Sequence, residues 1–240
     1  MGVPSEEWRL AIFLSMYGRI EYGTEDYFRS ILKEGMNVVD VGANLGIYTL
    51  HALAAKCFVY SYEPTPKIFK ILLDNIGING FEPEGKAAAY NLAVSDVEGE
   101  MKFAVYDNLF QNNTFFPINA GDKTIDVRTV SLDNHLSHLA HIDVVKIDVE
   151  GAEQLVLKGM KKIISNNPEI KIIMEFAPVH IKRAGSEPLD FISDIRGMGL
   201  DIHLIDEDSG EIREISDEEL CGVYSANVLL RNSLREKVRR

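Results

Sequence analysis

The chain has 240 residues, of which 46% are hydrophobic, so it is long enough for one domain with a continuous apolar core. Its 25 basic and 37 acidic residues leave a net charge of −12, which repels a phosphate backbone and disfavours nucleic acid as a partner. No stretch approaches the roughly 20 apolar residues that span a bilayer, and the N-terminus lacks a basic segment followed by an apolar one. We therefore expect a cytoplasmic protein with no signal peptide and no membrane partner.

The first 36 residues are predicted to form a helical preface to a single domain that covers residues 1–240. Ser5 is expected to cap a first helix, and Thr24 a second one that runs to Lys33 and ends at Gly35. We find no internal repeat and no low-complexity segment, which favours one domain over several.

From Asn37 onward, short apolar segments alternate with segments of helical periodicity. The predicted strands are Asn37–Val41, Phe58–Tyr62, Ala88–Val94, Asp143–Ile147, Lys171–Phe176, Ile202–Ile205 and Ala226–Leu230. The predicted helices are Leu45–Lys56, Pro66–Ile78, Ala152–Ser165 and Leu189–Met198. Buried strands that alternate with helices predict an α/β fold, in which helices cover both faces of a mostly parallel sheet.

One stretch, residues 100–132, breaks this alternation. Glu100–Tyr106 and Ile125–Leu132 alternate apolar and polar residues, a pattern typical of a β-ribbon. The polar and aromatic segment Asp107–Thr124 joins them, and a connection of this length predicts either a lid over an acceptor site or disorder. Its aromatic residues Phe115 and Phe116 are expected either to line an acceptor cleft or to form a small satellite core.

The strongest local signal is Val38–Gly46, where a buried strand ends in an acid, turns through two glycines and opens a helix. Gly42 is expected to let the backbone approach a ligand, and Gly46 to let the helix pack closely on the strand. Between them lie Ala43 and Asn44. Free N–H groups at the start of the helix suit an anionic group such as a carboxylate. The segment therefore predicts a cofactor site, with an ordinary strand–helix turn as the alternative.

Two acids indicate which cofactor. The dinucleotide fingerprint G-x-G-x-x-G is absent, because Asp40 stands where its first glycine would be. A carboxylate there would repel a pyrophosphate but tolerate a ligand that carries an ammonium and a sulfonium group. Glu63 ends the second strand, where doubly wound folds place an acid on the ribose hydroxyls. Its alternative role is to cap the following helix.

The fourth strand ends in the acidic segment Lys146–Glu153. Because ligands in open α/β sheets bind beyond the carboxyl ends of the strands, Asp148 and Glu150 are predicted to face the cofactor crevice. We assign Glu153 a structural role in the first helical turn. His180, after the fifth strand, is a candidate general base or an incidental loop histidine. No metal site is predicted, because the spacing of Asp148 and Glu150 is weak evidence for a bridging divalent ion.

Several segments, taken in order, resemble the FkbM-type methyltransferase family, from about Tyr22 to Leu204. They are Val39–Gly46, Tyr62–Pro64, Asn91–Asp96, Ser131–Asp133, Lys146–Glu153 and Met174–Phe176. The resemblance implies a Rossmann-like, seven-stranded class I methyltransferase sheet with the inserted β-ribbon. It also implies that the last strand, Ala226–Leu230, is antiparallel and lies between the fifth and sixth strands.

The resemblance further implies S-adenosylmethionine as the cofactor. Its methionine end would lie near Asp40, Gly42 and Asn44, its ribose on Glu63, and its adenine near Pro64, Asn91 and the segment from Ala93 to Ser95. Members of the family are mostly regarded as O-methyltransferases that act on sugars or natural-product hydroxyls, which implies a small-molecule hydroxyl acceptor. Asp148 or His180 would take the hydroxyl proton.

Two other functions stay open at this point. One is a nicotinamide-dependent oxidoreductase on the same sheet, although Asp40 counts against it. The other is a non-catalytic cofactor-binding or assembly subunit. The acceptor, the pathway and the oligomeric state are not predicted.

Overall fold

A computed structural model describes Gly2 and residues 19–81, 86–106, 113–117, 119 and 121–232. The predicted first helix, with its Ser5 cap, lies outside these residues. The helices are α1 (Tyr22–Ile31), α2 (Ile47–Ala54), α3 (Pro66–Ile78), α4 (Leu132–His135), α5 (Glu153–Lys158), α6 (Lys161–Asn166), α7 (Pro178–Arg183), α8 (Pro188–Gly197) and α9 (Asp217–Gly222). The strands are β1 (Asn37–Val41), β2 (Phe58–Tyr62), β3 (Ala87–Tyr90), β4 (Ala93–Val94), β5 (Gly99–Ala104), β6 (Thr124–Val130), β7 (Val144–Ile147), β8 (Lys171–Phe176), β9 (Leu200–Ile205), β10 (Ile212–Glu214) and β11 (Ala226–Asn232).

The main sheet has eight strands in the order β10-β9-β11-β8-β7-β1-β2-β3. The five strands from β8 to β3 are parallel, and β11 runs antiparallel between β8 and β9. The predicted α/β fold and the place of the last strand are therefore confirmed. The eighth strand, β10, was not predicted. It forms because Asp206 accepts hydrogen bonds from the backbone and hydroxyl of Ser209, and this turn returns the chain antiparallel to β9.

Both faces of the sheet are covered, as the apolar strands require. Val38 and Val39 are neighbours on β1 and point to opposite faces, yet both are fully buried. Val38 packs in a core with residues of α1, α2 and α3, whereas Val39 packs in a core with residues of α5, α6 and α8. Within the described part of the chain, no helix combines the length and the apolar character needed to cross a membrane.

The inserted ribbon is confirmed, with β5 and β6 paired antiparallel. The predicted third strand, Ala88–Val94, is wrong as a single strand. Asn91 leaves the main sheet, because its side-chain amide donates to the carbonyl oxygens of Glu63 and Pro64 at 2.9 Å each. After this turn, β4 pairs in parallel with β6 and completes a second, three-stranded sheet.

The predicted helix Ala152–Ser165 is also two elements, α5 and α6. Gly159 lies between them against the backbone of Ser95, whose carbonyl oxygen would overlap any Cβ at position 159. The carboxylate of Asp133 then accepts from the backbone N–H groups of Lys162 and Ile163 at 3.0 and 2.9 Å, which starts a new helix at that point.

Thr24 is not the cap that the sequence suggests, because α1 begins two residues earlier and Glu21 is its N-cap. The hydroxyl of Thr24 instead donates to the carboxylate of Glu207, which follows β9. Gly23 lies so close to the backbone of Asp206 that a Cβ there would overlap it. These contacts fix α1 beside the carboxyl end of β9 and close to the crevice described next.

Candidate functional site

Two adjoining cavities open at the carboxyl ends of β1 and β7. The larger has a volume of about 220 Å³ and is lined by Ile20, Glu21, Glu25, Asp40, Gly42, Ala43, Asn44, Leu45, Ile47, Tyr48, Lys146, Asp148, Glu150 and Glu175. The smaller, of about 50 Å³, is lined by Val41, Gly42, Asn44, Tyr62, Glu63, Pro64, Leu92, Ala93, Val94, Phe103, Asn113, Phe115, Asp148, Val149, Glu150 and Ala152. Gly42, Asn44, Asp148 and Glu150 line both. The strand order reverses at β1, because β2 lies on one side of it and β7 on the other. Open α/β sheets bind ligands at such a switch point.

The glycine loop has the backbone that the sequence predicts. Gly42 has φ +79°, and a Cβ there would overlap the carbonyl oxygen of Asp148, so the two strand ends meet through a residue that must be glycine. Gly46 has φ +93°, and its Cβ would lie 2.6 Å from a methyl group of Leu72 on α3. Gly46 therefore permits a close approach of α3, whereas close packing of the following helix on the strand stays a prediction, and Gly46 lines neither cavity among the described residues.

Three amide groups of this loop, all before the start of the helix, donate to the protein itself, while free N–H groups at the helix start stay a prediction. The N–H groups of Gly42 and Ala43 donate to the carbonyl oxygen of Tyr62 at 3.0 and 2.9 Å. The N–H of Asn44 donates to the carboxylate of Glu63 at 3.1 Å. The helix starts only at Ile47, so the loop residues before it bind the end of β2 instead.

Asp40 lines the larger cavity but is itself only 2% exposed. Its carboxylate accepts from the hydroxyl of Thr49 at 2.6 Å, and that hydroxyl also lies 2.7 Å from Ser61. Burial raises the pKa of Asp40 to about 6, while the bond from Thr49 and the charge of Lys146 act in the opposite direction. Asp40 thus lies buried at the base of the loop, and one oxygen of its carboxyl group is hydrogen-bonded to Thr49 of α2.

Glu63 lies on the wall of the smaller cavity. Its position is compatible with both roles considered from the sequence, a contact with the ribose and a bond near the start of the following helix. Its two oxygens accept from the backbone N–H groups of Asn44 and Thr65, at 3.1 and 2.8 Å. Burial raises the pKa of Glu63 to about 7, against the bonds from Thr65 and Asn44, which lower it. The carboxylate therefore ties the glycine loop to the start of α3 while it faces the cavity.

The other walls of the smaller cavity are mostly apolar and come partly from the ribbon. Phe115 packs edge-on against Phe103 with ring centroids 5.1 Å apart, and both line the cavity, so this aromatic residue is both cavity wall and local core. Of the residues predicted near an adenine, Pro64, Ala93 and Val94 line the cavity. Leu92, Phe103 and Asn113 also line the cavity and were not predicted as site residues, since only the folded ribbon brings Phe103 and Asn113 to this place.

Asn91 and Ser95 line neither cavity within the described ranges, and their contact with an adenine stays a prediction. Asn91 supports the Glu63–Pro64 turn from behind through its two side-chain hydrogen bonds. Ser95 is fully buried, its backbone lies against Gly159, and its hydroxyl donates to Asp96 at 3.3 Å. Both act on the site through its framework.

Lys146 is the functional residue that the sequence analysis overlooked. It is fully buried in β7, and its Nζ lies 3.4 Å from the carboxylate of Asp148, 3.5 Å from Asn227 and 4.9 Å from the ring centre of Tyr48. Burial acts to lower the pKa of Lys146, but the carboxylates around it, with Asp148 foremost, raise it above its usual range. The sequence feature that could have identified this residue is a lysine inside the otherwise apolar strand Val144–Ile147.

Glu150, Glu175 and His180 form a compact group beside Asp148. The Nδ1 atom of His180 lies 3.3 Å from Glu150 and 3.9 Å from Glu175. Burial raises the pKa of Glu150 to about 9 and that of Glu175 to about 8, and the charge of Asp148 adds to both. Burial, followed by the charge of Arg183, lowers the pKa of His180.

His180 is not a loop residue, because it lies on the short helix α7. Among the described residues that line the cavities are Glu150 and Glu175, but His180 is not one of them. Glu175 lies in the segment Met174–Phe176 of the family resemblance and was not predicted as a site residue. Glu153 is buried and accepts from the backbone N–H of Gly151 at 3.1 Å, a contact of the structural kind assigned to it.

Comparison with known proteins shows a sequence family for most of the chain. Residues 40–219 match the model of the methyltransferase FkbM domain. Methyltransferase sdnD of Sordaria araneosa is 28% identical over 156 residues, which cover 51% of this chain and 60% of that protein. Hexuronic acid methyltransferase AglP of Haloferax volcanii is 29% identical over 173 residues, covering 70% of this chain and 66% of that protein. The chain thus spans about three fifths to two thirds of these curated relatives.

Solved structures share the fold. A TehB-like SAM-dependent methyltransferase from Corynebacterium glutamicum superposes with a TM-score of 0.51 at 11% identity, covering 95% of this chain and 96% of that one. A Streptococcus mutans protein in complex with SAH gives a TM-score of 0.50 at 9% identity, covering 87% and 94%. At such identities the likeness concerns the fold alone. The family match itself begins at Asp40 and includes Glu63, Asp148 and Glu175.

Proposed function

The chain belongs to the FkbM methyltransferase family, and on that premise we propose that it transfers a methyl group from S-adenosylmethionine to a hydroxyl of a sugar or a natural-product-type small molecule. The family and the fold indicate S-adenosylmethionine as the cofactor. The observation that carries the proposal is that Asp148 lines both cavities, so its carboxylate faces the smaller cavity on the ribose side and the larger one, which would hold the methionine end of the cofactor together with the acceptor.

The residues present fit this cofactor. Gly42 and Asn44 line both cavities, and Glu63 offers a buried carboxylate to a ribose. Apolar walls from Leu92 and Phe103 suit an adenine ring. When bound, S-adenosylmethionine supplies an electrophilic methyl group on a sulfonium sulfur. Asp40 and Asn44, on the wall of the larger cavity, would bind the methionine end.

The larger cavity supports a hydroxyl-bearing acceptor. Its wall carries the carboxyl groups of Glu21, Glu25, Asp40, Asp148, Glu150 and Glu175, with Lys146 as the ammonium among them. Carboxylate oxygens accept hydrogen bonds from hydroxyl groups and repel anions, so this lining favours polyhydroxylated neutral compounds over phosphorylated ones. The name of the hexuronic acid methyltransferase relative also indicates a sugar, although a hexuronic acid carries a negative charge that this lining does not favour.

Asp148 is the residue best placed to take the proton of the acceptor hydroxyl. Its side chain is 36% exposed in the crevice, while Lys146 holds it from the buried side at 3.4 Å. A base in that position removes the proton as the new oxygen–carbon bond forms. His180, the other candidate base, is held behind Glu150 and Glu175, so a direct contact with the acceptor is less favoured.

Calorimetry followed by a transfer assay tests the proposal. The full chain is titrated with S-adenosylmethionine and S-adenosylhomocysteine, then incubated with isotopically labelled donor and a panel of neutral sugars, hexuronic acids and polyketide alcohols. We expect one molecule of either ligand per chain and a labelled methyl group on a hydroxyl oxygen of at least one acceptor.

The alternatives give different results in the same experiment. Binding of NADH but of neither methyl-donor ligand would support the oxidoreductase and overturn the proposal. Cofactor binding with no transfer to any acceptor class would support a non-catalytic subunit. Labelling of a carboxylate oxygen in place of a hydroxyl would keep the methyl transfer but overturn the proposed acceptor group.

A further inference from the structure

The group formed by Glu150, Glu175 and His180 has the spacing of a metal-ligand set. One potential ligand atom from each residue lies within 4.8 Å of the others, and Nδ1 of His180 is 3.3 Å from Glu150 and 3.9 Å from Glu175. Two ligands that each bind one ion at about 2.1 Å, at right or tetrahedral angles, are separated by roughly 3.0–3.5 Å. The three groups therefore need to move by only about an ångström to bind one ion.

Two of these ligand atoms are buried without a hydrogen bond. Nδ1 of His180 and Oε2 of Glu175 are both inaccessible and have no hydrogen-bond partner within the described part of the chain. Nδ1 of His180 is close to both carboxylates, yet the geometry of neither contact is that of a hydrogen bond. Buried polar atoms are nearly always satisfied, so a pair of them aimed at one point indicates a missing partner.

The surrounding charges point to a cation as that partner. Arg183 directs its guanidinium to the carbonyl oxygen of Glu150 at 2.9 Å and not to its carboxylate, and Lys146 faces Asp148. Only the second oxygen of Glu175 has a donor, the hydroxyl of Ser225 at 2.6 Å. Two carboxylates thus meet one imidazole with no ammonium or guanidinium directed at their oxygens in the described structure.

The backbone holds the three ligands together. Glu150 has φ +54° and Gly151 φ +107°, and a Cβ on Gly151 would lie 3.2 Å from the carbonyl oxygen of His180. The hydroxyl of Thr114, from the ribbon, donates to the carbonyl oxygen of Glu150 at 2.7 Å. A left-handed conformation at a glutamate is uncommon and is here fixed from two sides, which aims its side chain at α7.

We propose that Glu150, Glu175 and His180 bind one divalent transition-metal ion of the Mn²⁺ type at the wall of the larger cavity. An imidazole favours transition metals over Mg²⁺ and Ca²⁺, while two carboxylates favour Mn²⁺ among them. This set differs from the Asp148–Glu150 pair considered from the sequence. Glu150 and Glu175 also line the cavity, so the ion would be positioned to orient and polarise an acceptor oxygen, a role that rests on the proposed function.

Metal binding is tested on the full chain after removal of metals with a chelator. Mn²⁺ is titrated and the free ion is followed by electron paramagnetic resonance, with Zn²⁺ and Mg²⁺ as separate calorimetric titrations. We expect one Mn²⁺ per chain and weaker binding of Mg²⁺. The variants Glu175→Gln and His180→Ala should each weaken Mn²⁺ binding by at least about tenfold.

The matched control is His141→Ala. His141 lies 3.5 Å from Asp143, before β7 at the opposite end of the strand, so it is an exposed histidine–carboxylate pair outside the site. Its loss should leave Mn²⁺ binding unchanged. Thermal unfolding of each variant, without metal, separates a lost ligand from a lost fold, and the more conservative variant His180→Gln replaces His180→Ala if the latter unfolds.

The outcomes are distinct from those for the methyltransferase proposal. Failure of the wild type to bind Mn²⁺ or Zn²⁺ at one ion per chain would overturn the metal site, and so would wild-type affinity in both folded ligand variants. Calorimetry with S-adenosylhomocysteine in the chelated protein reports on cofactor binding separately. A chain that binds Mn²⁺ at these residues but neither cofactor ligand would retain the metal site and lose the proposed function.

Discussion

Gly42 packs its Cα directly against the carbonyl oxygen of Asp148, with no room for a Cβ between them. The glycine loop after β1 and the acid at the end of β7 are therefore one packed unit. This contact explains why both residues line both cavities. A substitution at Gly42 should therefore displace the backbone of Asp148.

We predict that Gly42→Ala abolishes binding of S-adenosylhomocysteine and lowers the free energy of unfolding by at least about 3 kcal/mol, because a strained φ and a backbone overlap add together. Gly35→Ala is the matched control. Gly35 has a similar φ of +86° but no atom near its Cβ position, so only the backbone strain of about 1 kcal/mol applies. Calorimetry and urea denaturation measure both effects, and equal losses in the two variants would contradict the importance of the contact.

Elements with strong local signals could be predicted from the sequence. The bounds of α3 and β8 agree with the prediction to the residue, since Pro66 starts one and the other contains the apolar residues Ile172, Ile173, Met174 and Phe176. The breaks at Asn91 and Gly159 could not be predicted in this way. Each depends on backbone from a distant segment, the Glu63–Pro64 turn in one case and Ser95 in the other.

The same division applies to the site. Asp40, Glu63 and Asp148 could be placed from the rule that ligands bind at the carboxyl ends of parallel strands. The place of Lys146 in the site was not predicted, because the position of a residue inside a strand does not show which acids surround it. The grouping of Glu175 with His180 and Glu150 depends on the left-handed backbone at Glu150. A glutamate in the sequence does not predict that conformation.

Asp148→Asn should reduce kcat for methyl transfer by about a hundredfold to ten-thousandfold, because the amide cannot take the proton of the acceptor hydroxyl. Binding of S-adenosylhomocysteine should change little. Asp126→Asn is the control, since Asp126 also pairs with a lysine, Lys102 at 2.7 Å, but on the exposed ribbon. Single-turnover transfer with the labelled donor measures the rate, and a rate near wild type for the Asp148 variant would rule out the base.

Cofactor affinity should fall as the pH is lowered through about 7, where Glu63 takes up a proton. Burial, with the charge of Asp40 adding to it, raises the pKa of Glu63 to about 7, so the carboxylate is mostly neutral at pH 6 and mostly ionised at pH 8. If the ionised form is the one that accepts from the ribose, affinity for S-adenosylhomocysteine increases by about tenfold between these pH values.

Glu63→Gln separates this effect from other titrations. The amide should weaken binding by about ten- to a hundredfold at pH 8, the equivalent of a hydrogen bond to a charged group, and should flatten the pH dependence. Glu34→Gln, at an exposed glutamate paired with Lys56, should keep the wild-type profile. A Glu63 variant with the full pH dependence would assign that dependence to another group.

Lys146→Met should lower the free energy of unfolding by about 2–4 kcal/mol, because it leaves buried carboxyl groups without their cation. Methionine keeps the length of the side chain, so lost packing is a small part of the effect. This loss of unfolding free energy is smaller than that for a fully buried ion pair, since Asp148 is 36% exposed and partly screened by water.

Lys102→Met is the comparison for that change. Its side chain is 68% exposed and pairs with Asp126, so its loss should cost no more than about 1 kcal/mol. Urea denaturation of both variants at pH 8, where the acids near Lys146 are most ionised, measures the difference. A Lys146 variant as stable as the Lys102 variant would contradict a stabilising role for the buried ammonium.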